Sequence, residues 1–308
     1  MSSAGTLLPP IVCASFSTAA VMYPFDLVKA LRMASPGADQ STSSLLRAFH
    51  RTYGARGFFT QGVAAEVARA GVMRCSKFWC FPLFFDAFYG RAPSSGTALE
   101  RAVAGAACCI PEVLLIMPIE MAKVGLQLDA ANLYGRSSRR VLDAVYQARG
   151  PAGLYTGFFG VQLRQSLWTA AYFGSLPTFE KAFAYAAPHT AERRPALAQL
   201  AAGFGAGVFG ALVNVPPDVI RIHIQRDTLN QIQLAALGGA VAARPSAGFL
   251  GAAEFCRYGA AIARERGPRA LWAGLSWKAL HVGGSGALMA VFVPAADQFF
   301  TALRERSL

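Results

Sequence analysis

Long apolar runs separated by short polar segments organise the chain. Residues 1–25 carry no charge, and neither do residues 195–217. Residues 165–179 are equally clean, and 279–296 hold only His281. Two further runs are broken by charge, 75–90 by Lys77 and Asp86, and 102–119 by Glu112. A membrane-crossing helix needs about 20 mostly apolar residues, so the pattern predicts six spans, several with a polar face. Glycine, alanine and serine recur at close spacing, as at Gly203, Gly205, Gly207 and Gly210, which suits close helix contact in lipid. The alternating segments of about ten residues that mark a transmembrane barrel are missing, so the spans are read as helices.

Composition supports this reading. Of 308 residues, 54% are hydrophobic and only 15% charged, where soluble domains carry about 25% charged residues. The same figures exclude intrinsic disorder. The first run has no basic region before it and no clear small-residue cleavage site, which predicts a retained helix instead of a signal peptide. Cys13, Cys75, Cys80, Cys108, Cys109 and Cys256 show neither metal-ligand spacing nor a disulfide framework, and are read as buried thiols. The net charge of +12 then needs a location.

The chain repeats itself. Pro24, Asp26 and Lys29 align with Pro118, Glu120 and Lys123, and with Pro216, Asp218 and Arg221. Each set closes an apolar run with proline, an acid two residues on and a base five on. A later motif also recurs, from Gly54 through Phe59 to Gly62, from Gly150 through Tyr155 to Gly157, and from Gly267 through Trp272 to Gly274. One such motif is a weak signal; three in register, each at the end of a hydrophobic span, are a strong one.

This pattern resembles the mitochondrial carrier family over essentially the whole chain. The resemblance implies an all-α membrane protein with six transmembrane helices in three pseudo-symmetric repeats, each with a short matrix helix. The repeats are expected at 1–95, 96–192 and 193–308, the last with a longer, Gly/Ala-rich and mobile loop at 226–250. It also implies a central substrate site and a location in the mitochondrial inner membrane, with both termini facing the intermembrane space. Charge agrees with that orientation: the loops 29–62, 122–156 and 221–273 hold 17 Lys and Arg, the termini and opposite loops seven. Basic residues stay on the side from which helices insert, and would also favour anionic lipid.

In the family a ring of interhelical ion pairs closes the matrix end. Carried over, the pairs are Asp26–Lys123, Glu120–Arg221 and Asp218–Lys29, with Gln127 and Gln225 as glutamine braces and Met33 where a third would stand. The plainer reading is a local i,i+3 ion pair at each helix end. Seven residues beyond each anchor glycine stand Arg69, Arg164 and His281, which match the family's substrate contact points. A basic side chain at the bilayer centre costs about 2.5–3.5 kcal/mol on insertion scales, so it normally faces water or a partner. Arg164 followed by Gln165 is similar to members that carry keto acids, di- or tricarboxylates, and the guanidinium fork suits a carboxylate. Arg74 and Lys278 are further candidate contacts, with Lys77 a lesser one. His281 would either make the site pH-sensitive or form a helix–helix hydrogen bond. Glu112 has no counterpart in the other repeats; counter-ion to one of the arginines or a structural hydrogen-bonding group is favoured over a proton-coupling carboxylate.

The chain departs from the family in two places. Pro82, Pro177 and Pro294 stand where the acids of the cytosolic gate belong, and are expected to end or bend the even helices early. The basic residue that normally follows Phe59, Tyr155 and Trp272 is missing, which leaves cardiolipin to backbone amides at helix N-termini. Nothing points to enzyme chemistry, a cofactor or a metal, and topology explains the basic residues better than nucleic-acid binding does. The expected function is a secondary transporter of a small anionic metabolite working by alternating access. The alternative is a carrier-fold protein with a structural or assembly role in a larger complex and impaired transport.

Overall fold

The computed structural model of the chain describes residues 2–35, 41–236 and 251–307. A long helix, a short one and another long one recur three times along it. The first repeat comprises α1 (Ser2–Ala34), α2 (Thr42–Thr60) and α3 (Val63–Tyr89). In the second, the leading helix is split into α4 (Ala98–Ala107) and α5 (Cys109–Gln127), bent by 42° at the break, before α6 (Ser138–Gly153) and α7 (Phe158–Ala186). A short α8 (Pro188–Arg193) leads into the third, which comprises α9 (Pro195–Ala236), α10 (Ala252–Arg266) and α11 (Leu275–Ser307).

Local chemistry explains the joints. Ser41 and Ser137 cap α2 and α6 by accepting from the amides of Ser44 and Arg140, which satisfies helix-end donors that would otherwise be unpaired. Thr97 and Glu100 cap α4 reciprocally. At the anchor positions Gly62, Gly157 and Gly274 the backbone is left-handed, with φ of +88°, +82° and +80°, a conformation that glycine alone adopts without strain. These glycines also permit close approach. A Cβ at Gly62 would lie 2.7 Å from the Tyr23 hydroxyl, and at Gly157 3.3 Å from Gln225 Cγ. One at Gly274 would lie 3.1 Å from Met33 Cγ. Gly157 and Gly274 thus seat the starts of α7 and α11 against an odd helix of a different repeat, and Gly62 seats α3 against α1 of its own repeat and, at 3.5 Å from Leu126 Cβ, against α5.

Packing closes a ring: α1 lies against α3, α3 against α4 and α5, those against α7, α7 against α9, α9 against α11, and α11 against α1. The odd helices α1, α5 and α9 also touch one another. Their mutual contact lies beyond Pro24, Pro118 and Pro216, where a buried cluster draws Met33 from the first repeat, Met121, Val124 and Leu126 from the second, and Val219, Ile222 and Leu229 from the third. Helices α1, α9 and α11 are each long and apolar enough to cross a bilayer, and α4 with α5 qualifies as one broken span. At 27 and 29 residues, α3 and α7 are about 40 Å long at 1.5 Å per residue, enough to span.

Two expectations are corrected. Pro82, Pro177 and Pro294 do not end the even helices, which run on to Tyr89, Ala186 and Ser307. A proline removes one backbone hydrogen bond, and membrane helices tolerate this because neighbouring helices and local adjustment compensate. The loop expected at 226–250 is helical as far as Ala236, the end of α9; residues 237–250 lie outside the described residues.

The anchor geometry makes a prediction about stability. Gly62→Ala and Gly90→Ala both place a side chain at positive φ, at a strain of about 1–2 kcal/mol, but only Gly62 has a neighbour in the way. Thermal unfolding in lipid-supplemented detergent should therefore show a larger fall in Tm for Gly62→Ala; equal falls would contradict the seam assigned to it.

Candidate functional site

The proline of each odd helix is followed by charges that turn into the bundle. Asp26 and Lys29 on α1, Glu120 and Lys123 on α5, and Asp218 and Arg221 on α9 are all buried. Isolated charges would be expelled from such a site or neutralised, so their survival depends on pairing. Lys123 Nζ lies 2.5 Å from Asp26 Oδ2, and Arg221 Nη1 2.5 Å from Glu120 Oε1. Lys29 Nζ is farther from Asp218 Oδ2, at 4.0 Å. Local pairs form alongside: Lys29 bonds Asp26 at 2.9 Å and Arg221 bonds Asp218 at 2.7 Å. The local and interhelical readings of the motif therefore coexist in one network.

The glutamines differ from the methionine in what they do there. Gln127 Nε2 donates to Asp26 Oδ2 at 3.2 Å and to the Tyr23 hydroxyl at 3.3 Å. Gln225 Oε1 accepts from Arg221 at 3.0 Å, while its Nε2 donates to the Thr156 carbonyl. Met33 can offer neither bond, and the pair beside it, Lys29–Asp218, is the longest of the three. Asp218 turns instead to Lys278 on α11, whose Nζ lies 2.8 Å away.

Lys278 was expected to contact substrate; the structure ties its ammonium to the ring. Its position, four residues beyond an anchor glycine, corresponds to Glu66 in the first repeat and Val161 in the second. Glu66 is also buried, and bonds Lys123 at 2.7 Å and Arg69 at 2.5 Å. Sequence reasoning missed Glu66, although a buried-span acid three residues before Arg69 was a usable signal. Gln61 lies where the first repeat has one residue more before its anchor glycine than the second and third repeats have. Its buried side-chain amide donates to the carbonyls of Leu126 and Gly135, and its backbone carbonyl accepts from the Tyr23 hydroxyl.

Beside the ring lies a cavity of ≈ 20 Å³, enough for about one water molecule, lined by Asp26, Lys29, Glu120, Lys123, Gln127 and Arg221 together with Arg69 and Arg164. Arg69 Nε lies 3.4 Å from Glu120 Oε2, and Arg164 Nε 3.6 Å from Asp218 Oδ1. Among the described residues, Arg164 Nε and Nη2 are buried with no hydrogen-bond acceptor. His281 is partly buried on α11 and does not line this cavity. Arg74 is exposed on α3. Gln165 is buried and points elsewhere, donating to Glu112 Oε1 at 2.6 Å, so its amide is engaged by the protein. The partner of Glu112 is neither Arg69 nor Arg164 but Lys77, at 3.6 Å.

At the opposite end, Asp86, Glu180 and Asp297 are exposed. Among the described residues none of them enters an ion pair. Aromatic contact occupies part of this region, with Phe81 of α3 stacked on Phe173 of α7 at 6.1 Å between centroids and 12° between planes.

A closed ring of six helices, with a buried ion network sealing one end and arginines beside it, has the architecture of a membrane carrier. The family model described as "Mitochondrial carrier protein" matches three times, over residues 11–91, 94–186 and 192–303, and the chain belongs to that family. Its members transport metabolites and are not enzymes. The chain is 26% identical over 280 residues to the probable mitochondrial 2-oxodicarboxylate carrier of Dictyostelium discoideum, covering 90% of this chain and 85% of that protein. It is 26% identical to mitochondrial citrate transporter D of Aspergillus niger, with 93% and 91% covered, and 25% identical to the rat mitochondrial 2-oxodicarboxylate carrier, with 90% and 88% covered.

The network distinguishes its two lysines. Lys123→Met removes a bond from both Asp26 and Glu66 and should cost about 3–5 kcal/mol, as for a broken buried pair. Lys29→Met should cost about 1.5–3 kcal/mol, the worth of a charged hydrogen bond, because Asp26 keeps Lys123 and Asp218 keeps Lys278 and Arg221. Thermal unfolding should rank them in that order, and the reverse order would contradict the assigned partners.

Proposed function

We propose that this chain is a secondary transporter of a small carboxylate metabolite, of the keto acid, di- or tricarboxylate class, across the mitochondrial inner membrane. The observation that carries this reading is Arg164, whose buried guanidinium has unused donors at a cavity shared with Arg69 and the ion ring. Carboxylates accept two parallel hydrogen bonds from such a fork. The names of the similar carriers, 2-oxodicarboxylate and citrate, support the same chemical class.

In this reading the ring is the matrix gate. A carboxylate bound between Arg69 and Arg164 competes with Glu120 and Asp218, which lie near those two arginines. Only a ligand that interacts more favourably with one state than the other can shift the equilibrium between them. Competition for the gate's counter-ions provides that difference. The excess of Lys and Arg in the connecting loops supports a matrix location for α2, α6 and α10 and an intermembrane-space location for both termini. The N-termini of α3 and α7 have no side-chain cap, and their free amides are available to cardiolipin phosphate. The structural or assembly role rests on the three prolines that replace the cytosolic-gate acids; the names of the similar proteins, all carriers or transporters, favour transport instead.

Uptake into proteoliposomes of labelled 2-oxodicarboxylates, citrate, amino acids and nucleotides tests the assignment. Carboxylates should be taken up, and Arg164→Ala should lower uptake at subsaturating substrate at least about tenfold, since losing one partner of a buried charge pair costs about 2 kcal/mol or more. Arg164→Lys should retain more than the alanine variant. Uptake of nucleotides without carboxylates would overturn the substrate class.

A further inference from the structure

Glu112 and Lys77 form a second intramembrane ion pair that the gate does not use. Glu112, near the start of α5, is completely buried, whereas Lys77 on α3 keeps 26% of its side-chain surface accessible. Their Nζ–Oε2 separation of 3.6 Å is an ion pair without a hydrogen bond, and Oε2 has no hydrogen-bond partner among the described residues. The lysine lies 5.9 Å from the centroid of the Trp168 ring on α7, where its charge is also attracted. It stands about two turns along α3 from Arg69, on the side away from the gate.

The pair is therefore lopsided. Lys77 keeps surface through which a carboxylate can approach, whereas Glu112 is shut off from water as long as the pair is intact. If Lys77 turns to a substrate carboxylate, Glu112 is left as a lone buried anion, a state that burial disfavours strongly and that protonation relieves. Its other close contact accommodates both forms. The Gln165 amide, which donates to the carboxylate at 2.6 Å, can when turned over accept from a carboxylic acid.

The other groups around Glu112 do not replace Lys77. From α3, Arg74 is close enough to act on it electrostatically but is exposed. Cys108, at the α4–α5 break, and Cys109, at the start of α5, are buried thiols bonded to the Gly105 carbonyl. From α7 come the uncharged Gln165 and Thr169. The charges that α1 and α9 bring to α5, Asp26 and Arg221, pair with Lys123 and Glu120 two turns or more further along.

We propose that Glu112 and Lys77 couple anion binding to proton uptake, so that the transported species is an anion together with a proton. The Lys77 ammonium exchanges its carboxylate partner, Glu112 for substrate, and Glu112 takes one proton from the aqueous side facing the cavity. When the anion leaves on the other side, Lys77 returns and Glu112 releases the proton there. No bond other than the carboxyl O–H forms or breaks. The proposal rests on the reading of this chain as a carboxylate carrier.

Calorimetric titration of the purified protein with 2-oxoglutarate and with citrate, in buffers of different ionisation enthalpy, measures the protons taken up per anion bound. The native chain should take up about one proton per anion, by linkage between the two ligands. Glu112→Gln and Lys77→Gln should each bring that number close to zero, the first by removing the proton acceptor and the second by removing the group whose change of partner drives the uptake. Binding by the native chain without proton uptake, or native-like uptake in either variant, would overturn the proposal while leaving the carrier reading intact. If one variant does not fold, the native chain and the other decide. No binding of either anion by folded protein, with no carboxylate uptake into liposomes, would overturn the carrier reading and this proposal with it.

Discussion

The structure depends on one constraint: a charge inside a membrane bundle must have a partner. Six motif charges, joined by Glu66, Arg69, Arg164 and Lys278, are withdrawn from water at one end of the helix ring. Breaking such pairs is costly because the desolvation is then uncompensated, so the network holds the ends of α1, α5 and α9 together. The charges that follow the prolines of α1, α5 and α9 are turned inward and buried. The left-handed glycines let the even helices start close enough to join the network, and the cluster around Met121 and Val219 packs where the odd helices meet. A closure made of ion pairs is strong when complete and separable when a competing anion arrives, which suits a gate better than an apolar plug of the same area would.

The three seams are not equivalent, and the differences follow from single residues. Gln127 and Gln225 brace two of them; Met33 leaves the third without a brace, and its interhelical pair is the longest. The chain compensates at another symmetry-related position. Four residues after the anchor glycine it has Glu66, Val161 and Lys278, and the two charged members add bonds to Lys123 and Asp218. The third seam is thereby tied to α11 more firmly than to α1. This places a charged residue of an even helix within the gate, so that motion of α11 and opening of the ring cannot be independent.

Much of this was legible in the sequence, because repetition makes weak signals strong. The helical spans, the three repeats and the identity of the six ring residues follow from the apolar runs and from proline, acid and base in fixed register. Partnership was less legible, since it depends on which side chains face one another across helices. Lys278 and Gln165 have the composition of substrate contacts, yet Asp218 and Glu112 occupy them. Glu66 was overlooked because its symmetry mates are a valine and a lysine, so no motif repeats there. The prolines of the even helices misled because the expected break is a property of an isolated helix, whereas here neighbouring helices hold the chain on either side.

The central claim is that a bound carboxylate loosens the ion ring. Spin labels at exposed positions of the connecting helices, introduced as Arg51→Cys and Arg139→Cys in a chain with Cys13 and Cys256 replaced, measure the separation of α2 and α6 directly. Saturating dicarboxylate should add a population with a longer distance, and Arg164→Ala should abolish it. A distance distribution unchanged by the anion, in protein that demonstrably transports it, would contradict the claim that this ring is the gate.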